Sequence, residues 1–258
     1  MNSSISNKAK IHPSTFIGPN CIIDDNVEIG MNNKLIANIV ITGNTKIGNN
    51  NTFYPFSTIG SDPQDLKYKG EKSFLYIGNN NTFREYVTVN TGTEGGGLKT
   101  IIENNCLFMV SSHIAHDCII KSNVILANNA TLAGHVEIFE NAVLGGNSAV
   151  HQFVKIGRYA MIGGMSGVEK NIIPYSLYTG IRSELKSMNL VGLKRKGLNS
   201  KKINYIIRIV KKIFHSGDSI ENNIHSLSKD MLILDEISEI IEFIKKYQKR
   251  GICKLIDE

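Results

Sequence analysis

The sequence predicts a mainly β protein, a parallel β-helix closed by a small α-helical carboxy-terminal domain, and three observations carry that expectation. First, an aliphatic or aromatic residue returns at every sixth position through Ile11, Ile17, Ile23, Ile29, Leu35, Ile41, Ile47, Phe53 and Ile59, and again without a slip from Ile102 to Val168. Second, a small or apolar residue stands two places before the end of most hexads, as at Cys106, Cys118, Val124, Ala130, Val136, Ala142 and Ala160. Third, the six-residue period stops after Pro174 and helical patterning replaces it. A hexapeptide repeat of this kind is the signature of a parallel β-helix.

Each hexad supplies one short strand and one corner, so three hexads close a triangular coil and eighteen residues return to the same face. Successive coils should lie about 4.8 Å apart, the spacing of hydrogen-bonded strands. The β-helix is assigned to residues 1–175, with its first hexad beginning at Ile11. Two insertions interrupt it, at 60–76 (GSDPQDLKYKGEKSFLY) and at 91–100 (TGTEGGGLKT). Both read as loops thrown out from a corner, and long loops inside a solenoid are usually functional. The second is not a phosphate-binding P-loop, because no Gly-Lys-Ser/Thr follows its glycines.

Residues 176–258 form the helical domain. Helical patterning runs over 183–196, 200–214, 219–229 and 235–250, and in the second segment Ile203, Ile206, Ile207, Val210, Ile213 and Phe214 share one apolar face. Asn199 or Ser200 can cap its start, while Gly217 and Gly251 sit where helices commonly end. Such a cap would cover the open end of the solenoid and its unpaired strand edges.

Composition bounds the function. The amino terminus, MNSSISNKAKIHP, lacks the apolar stretch of a signal peptide, and no later run approaches a membrane span, so a cytoplasmic protein is expected. Cys21, Cys106 and Cys118 fall on the small inward position, where cysteine serves as a buried small hydrophobe; neither a disulfide nor a zinc motif is expected. Up to residue 173 the chain holds 13 basic and 13 acidic side chains, whereas 174–258 holds 16 and 10, so the whole net charge of +6 lies in the tail. That asymmetry points to an acidic partner or a phosphorylated substrate. Basic and aromatic residues do not interleave into a nucleic-acid motif, and a solvated lysine-rich helix face would explain the same charge.

Four of the seven histidines lie between 113 and 151. The eighteen-residue arithmetic stacks His116, Gly134 and Gln152 in one column, with His135 and His151 flanking it and His113 just around the corner. Imidazole titrates near neutral pH and can take a proton from a hydroxyl nucleophile and return it to a leaving group. Asp117 can orient and support the His116 ring, and Gly134 leaves a backbone N–H accessible to an oxyanion. The set suits acyl transfer. A metal site is the rival: γ-type carbonic anhydrases hold zinc between subunits with three histidines, two of them four residues apart, but the gaps here are three, nineteen and sixteen. A non-enzymatic solenoid is a further alternative. No metal and no cofactor are expected.

The strings GSDPQDLKYKGE, SSHIAHDCII, LANNATLAGHVEI, AVHQFVKIG and GLKRKG, in this order and spacing, resemble the UDP-N-acetylglucosamine O-acyltransferases of lipid A synthesis over nearly the whole chain. The resemblance implies a left-handed β-helix, a homotrimer with sites between subunits, and transfer of an (R)-3-hydroxyacyl group from acyl carrier protein to the 3-hydroxyl of UDP-GlcNAc. It implies His116 as general base, Asp117 as its supporting carboxylate and Gly134 as the oxyanion glycine. Gln64, Asp65, Lys67, His113, His135, His151 and Gln152 match the sugar-nucleotide site, and Asn189, Lys194 and Arg195 match an element near the nucleotide. Gly145, Gly146, Gly163 and Gly164 form a bare strip for an acyl chain on the face leading into the histidine edge, and the position of Gly164 sets chain length in the family. The chain departs from the family at Asn90-Thr91, where His-Arg is common, at Val191, where an acid is common, and at Lys196, where a second arginine is common. Lysine does not reproduce arginine's bidentate fork. The N-acyltransferase of the same pathway, a coenzyme A-dependent acetyltransferase and the 3-amino analogue of the acceptor remain alternatives.

Overall fold

The inward residue of each hexad meets its counterpart one coil away, and this stacking builds the molecule. The computed structural model describes residues 3–181, 184–215 and 217–254. Three sheets run along a triangular prism. Face I has nine parallel strands, from Ser4–Ile5 to Gly167–Val168; face II has eight, from Lys10–Ile11 to Lys155–Ile156. Face III has ten strands, starting at Phe16–Ile17. Up to Gly167–Val168 each strand pairs with the one three strands away, and in the undisturbed coils the register is eighteen residues, as in His113↔Thr131 and Ile114↔Leu132. The two insertions stretch single steps, so Ile59 pairs with Val89 and Val89 with Ile114.

The core is one continuous column of aliphatic residues with a stack of Phe53, Phe83 and Phe108, ring centroids 4.7 and 4.9 Å apart. Cys21, Cys106, Cys118 and Cys253 are buried and free. Burial pushes the Cys106 thiol up to about 11 and that of Cys118 up to about 12, so both stay protonated and act as packing groups.

Most corners turn through a left-handed residue, and asparagine, which tolerates that conformation, is the commonest residue there. Asn32, Asn50, Asn80, Asn105, Asn123 and Asn141 line the edge between faces II and III, and Asn20, Asn38, Asn129 and Asn147 the edge between III and I, all with φ between 53° and 63°. On the edge between I and II the same positions are Asp117, His135 and Phe153, with φ of 59°, 62° and 66°. Larger left-handed residues also occur on the other edges, as Phe56, Tyr86 and Met165 between faces III and I and Tyr159 between II and III, but only the edge between I and II carries an acid and an imidazole there.

Two expectations need correction. The coils start one hexad before Ile11, because Ser4–Ile5 already pairs with Ile22–Ile23; polar neighbours hide Ile5 in the sequence. The helical segment expected over 183–196 begins as a strand. Residue 183 lies outside the described residues, Ser176–Thr179 extends face III, and Glu184–Met188 pairs with it antiparallel. Helical propensity yields there to an open sheet edge that needs a partner. Helix α1 then spans Leu190–Arg195, α2 Ser200–Ile213, α3 Ile220–His225 and α4 Asp235–Lys246. Asn199 caps α2 by accepting from the Lys202 amide. Cys253 and Gly251 bond Asn171 through backbone groups and tie the tail to the last coil. Among the described residues no helix is long and apolar enough to cross a membrane.

Candidate active site

Both insertions leave the prism at the edge between faces I and II, which is also the edge that carries His116 and Asp117. The first runs between strands Thr58–Ser61 and Phe74–Ile77, the second between Thr88–Asn90 and Lys99–Ile102. They are bonded to each other: the Glu71 carboxylate accepts from the Lys69 and Glu94 amides at 2.8 and 3.1 Å, and Ser73 donates to Thr91 Oγ1 at 2.9 Å. The buried Asn90 side chain donates to the Asp62 carbonyl at 2.9 Å and pins the root of the first loop.

The second loop closes over Asp117. Thr93 donates its backbone N–H to both carboxylate oxygens at 2.9 and 3.1 Å and its hydroxyl to Oδ2 at 2.6 Å. The glycine at 96 is required, since a β-carbon there would come within 2.0 Å of the Asp117 carboxyl carbon. Nδ1 of His116 lies 2.8 Å from the same Oδ2, and the two side chains are 4% and 6% exposed as residues. Burial opposes ionisation of Asp117, but the hydrogen bonds from His116 and Thr93 outweigh it and hold the carboxyl below its ordinary range. A carboxylate accepts only, so Nδ1 carries the proton and Nε2 of a neutral His116 is left as the base.

Gly134 stacks on His116 as the repeat predicts: a β-carbon there would lie 2.4 Å from Cε1 and 2.5 Å from Nε2 of the ring. Its carbonyl accepts from the Phe153 amide, while its own N–H donates to no partner among the described residues. That amide is free to meet an oxyanion. The His135 ring sits edge-on to His116 with centroids 4.9 Å apart, and flat against Phe153 at 4.3 Å. Its Nδ1 is 3.8 Å from Asp117 Oδ2. Burial lowers the pKa of His135 and, helped by repulsion from His116, that of His113, which bonds Thr88 Oγ1 at 2.7 Å. Both rings are neutral at pH 7.

The structure thus brings together His116, Asp117, Gly134 and His135, with His113 beside them. Asp65 is half-buried and its charge reaches His135, whereas Gln64 and Lys67 are exposed on the first loop. His151 and Gln152 are exposed one coil further, and His151 is held by Arg250, whose guanidinium meets Nδ1 at 2.5 Å. Asn189 and Arg195 lie elsewhere, in a groove of about 770 Å³ between α1 and face III, with Tyr159, Met161 and Leu177 on its wall. Lys194 is exposed and does not line it. Within one chain, face II separates this groove from the histidine edge. The glycine strip occupies the edge between faces III and I, so face I lies between it and the histidines.

Thr93, Gly96 and Arg250 escape sequence reasoning. The first two fall in a loop without repeat register, although the loop itself stands out; Arg250 belongs to a segment whose placement no periodicity reports.

Ligand atoms of His116, Asp117 and His135 lie within 4.8 Å of one another, close enough for a metal. The carboxylate, however, already accepts from Thr93 and His116, so the geometry is that of an oriented imidazole.

A family model described as UDP N-acetylglucosamine O-acyltransferase, domain 2, matches residues 171–253, and one described as bacterial transferase hexapeptide matches 99–134. The acyl-(acyl-carrier-protein)–UDP-N-acetylglucosamine O-acyltransferase of Thermodesulfovibrio yellowstonii is 46% identical over 250 residues, covering 97% of this chain and 96% of its relative. This chain belongs to that O-acyltransferase family. The enzyme of the same name from a Psychrobacter species is 45% identical over 97% of this chain and 96% of its own. Among solved structures, LpxA from Acinetobacter baumannii superposes with a TM-score of 0.94 at 38% identity, covering 98% of each chain. The O-acyltransferase (LpxA) from Moraxella catarrhalis gives 0.92 at 36% identity, also over 98% of each. In this O-acyltransferase the buried His116–Asp117 pair therefore stands in a chain that is alike from end to end, helical domain included.

Proposed function

We propose that this chain transfers an (R)-3-hydroxyacyl group from acyl carrier protein to the 3-hydroxyl of UDP-GlcNAc, the first step of lipid A synthesis. The observation that carries the reading is the buried His116–Asp117 pair under the unbonded Gly134 amide, in a chain 46% identical to a relative of that name. Nε2 of His116 takes the proton of the sugar hydroxyl as its oxygen attacks the thioester carbonyl. The Gly134 N–H meets the oxyanion. Collapse breaks the C–S bond, and the imidazolium, stabilised by Asp117, returns the proton to the leaving thiolate. No covalent acyl-enzyme, cofactor or metal enters.

Gln64, Asp65, Lys67, His113, His135, His151 and Gln152 face the sugar nucleotide, and Asn189, Lys194 and Arg195 serve its nucleotide end. The two sets come together in a homotrimer. Outward positions on face II form a charged ladder, with Lys10 and Lys46 on Glu28 at 3.3 and 3.4 Å and Lys155 on Glu137 at 3.2 Å. Strand residues facing outward on face I, such as Ile22, Val40, Thr88, Thr131 and Ala149, and on the coils of face III from Leu107 to Met161, with Ile125 and Val143, carry no charge, whereas Lys34 earlier on face III does. Faces I and III are therefore the packing faces, and a neighbour's groove meets the histidine edge across them. The same reading makes the coils left-handed, divides the chain near 175/176, with Ser176–Thr179 still paired to Met161–Ile162 on face III, and places the protein in the cytoplasm.

The test is turnover with UDP-GlcNAc, its 3-amino analogue and 3-hydroxyacyl carriers of different lengths. Acylated UDP-GlcNAc and free carrier are expected. Activity only with acetyl coenzyme A would overturn the reading.

A further inference from the structure

Lys196 stands where the family commonly has a second arginine, directly after the residue expected at the nucleotide. Its environment is not that of a side chain waiting for phosphate. The ammonium forms an ion pair with the Glu236 carboxylate, in which the two side chains are 24% and 11% exposed. It also lies 5.0 Å from the centre of the Tyr175 ring, a placement that adds cation–π attraction. Burial opposes the charge on Glu236, yet the hydrogen bond from Lys196 and then from its own backbone amide hold the carboxyl below its ordinary range. The Glu236 carboxylate is therefore favoured in its charged form.

The elements joined by this pair matter more than the pair itself. Lys196 is the C-cap of α1, and Glu236 lies in the first turn of α4. Tyr175, beneath the ammonium, donates its hydroxyl to Glu239 on the same helix, and Arg158 of the last coils reaches that carboxylate at 3.3 Å. Tyr175 also stacks on Tyr159 at 5.6 Å and accepts the Asn189 amide on its carbonyl. Asn189 in turn donates to the Tyr159 carbonyl at 2.8 Å and caps α1 through the Gly192 amide at 3.0 Å. Thus Asn189 fixes the start of α1 and Lys196 its end, and between them α1 presents Leu190, Val191 and Arg195 to the groove. A six-residue helix holds no position by its own stability, so its two anchors decide where the Arg195 guanidinium stands.

We infer that Lys196 is a positioning residue: its ion pair with Glu236 clamps α1 against α4 and sets Arg195 in the groove, and Lys196 itself does not bind the diphosphate. The inference rests on the reading that the groove takes the nucleotide. It explains why lysine suffices at this position. A phosphate fork needs guanidinium geometry, whereas a monodentate pair with one carboxylate over an aromatic ring does not.

The experiment is a charge-swap cycle on the full-length protein: Lys196→Glu, Glu236→Lys and the double swap, with Lys196→Arg as the conservative variant. Nucleotide affinity of the wild type, by calorimetry, comes first, and failure to bind UDP-GlcNAc would sink the functional reading independently of the cycle. Each single swap should raise KM for UDP-GlcNAc about tenfold or more, within the coupling range of contacting residues, with kcat at saturating nucleotide and KM for the acyl carrier little changed. The double swap and Lys196→Arg should return KM to within about threefold of the wild type. If the double swap stays as weak as Lys196→Glu while Glu236→Lys alone binds normally, Lys196 contacts the nucleotide directly and the inference fails. Should both single swaps unfold, Lys196→Met and Glu236→Gln give the same comparison: equal, non-additive rises in KM support the clamp, and a rise confined to Lys196→Met overturns it.

Discussion

Nδ1 of His116 and Oδ2 of Asp117, neighbours in sequence, meet at 2.8 Å because the left-handed backbone at Asp117 turns its side chain back over the preceding ring. Consecutive residues on a flat strand would point to opposite faces. The corner makes this contact available, and the Thr93 clamp keeps it.

Removing the proposed base leaves the Gly134 amide and the proposed binding groups in place. His116→Ala should lower kcat by about two to four orders of magnitude, the usual range for a general base, with the circular dichroism spectrum and oligomer size unchanged. Near-normal turnover would refute the mechanism. The purified enzyme should also retain activity after chelation, with less than one zinc per chain by elemental analysis.

Asp117→Asn should be nearly as damaging, about 10³- to 10⁴-fold in kcat, because an amide no longer imposes the tautomer that leaves Nε2 unprotonated. A stability signature accompanies it. The folded carboxyl titrates below its ordinary value, so its stabilisation is complete above the unfolded value of about 4 and is lost as pH falls through the lower folded value. The melting temperature of the wild type should exceed that of Asp117→Asn by a constant margin from pH 6 to 8, and the margin should close below about pH 4. A margin independent of pH would show that the clamp does not depend on ionisation.

Arg195→Ala should raise KM for UDP-GlcNAc by roughly tenfold or more, the scale of one lost hydrogen bond to a charged group, and leave kcat within about twofold. The excess positive charge after residue 173 predicts in addition that KM for the acyl carrier rises between about 50 and 500 mM salt, as the Debye length shrinks. Salt-independent carrier binding would assign the basic tail to solubility alone.

How much of this was legible follows from where periodicity reaches. The eighteen-residue repeat places Gly134 over His116, and the strands bear that out through the pairings on either side of the column. It does not reach Thr93 or Gly96, whose loop has no register with the coils, and so the clamp on Asp117 was hidden. Nor does it reach Glu184–Met188, where an open sheet edge overrides a helical pattern. The asparagine corners offered a weaker signal of their own: Phe56, Tyr86, Tyr159 and Met165 also replace asparagine at left-handed corners, but only at the edge between faces I and II are the replacements an acid and an imidazole, Asp117 and His135.

The glycine strip yields the last prediction, and its four members are not equivalent. A β-carbon on Gly145 would meet the Gly164 amide nitrogen at 2.5 Å, a backbone clash that makes Gly145 necessary for the coils to stack, whereas one on Gly163 would meet the Thr179 methyl at 2.6 Å, a side chain that must turn aside. On Gly146 and Gly164 the nearest atoms are carbonyl oxygens at 3.3 and 3.2 Å, which a small shift accommodates. Gly164 is exposed, so a larger side chain there projects over the surface of the prism without breaking it. The path from this edge to the histidines crosses face I by way of Ala149 and Gly167, which are small enough to leave a hydrocarbon chain room. Gly164→Met should therefore fold and remain active while shifting donor preference from long towards shorter 3-hydroxyacyl chains by steric exclusion. Gly145→Met should instead lower the melting temperature by several degrees, since its clash is with backbone. Competition between donors of different length reads the first effect, and an unchanged length profile in active Gly164→Met would place the acyl path on another face.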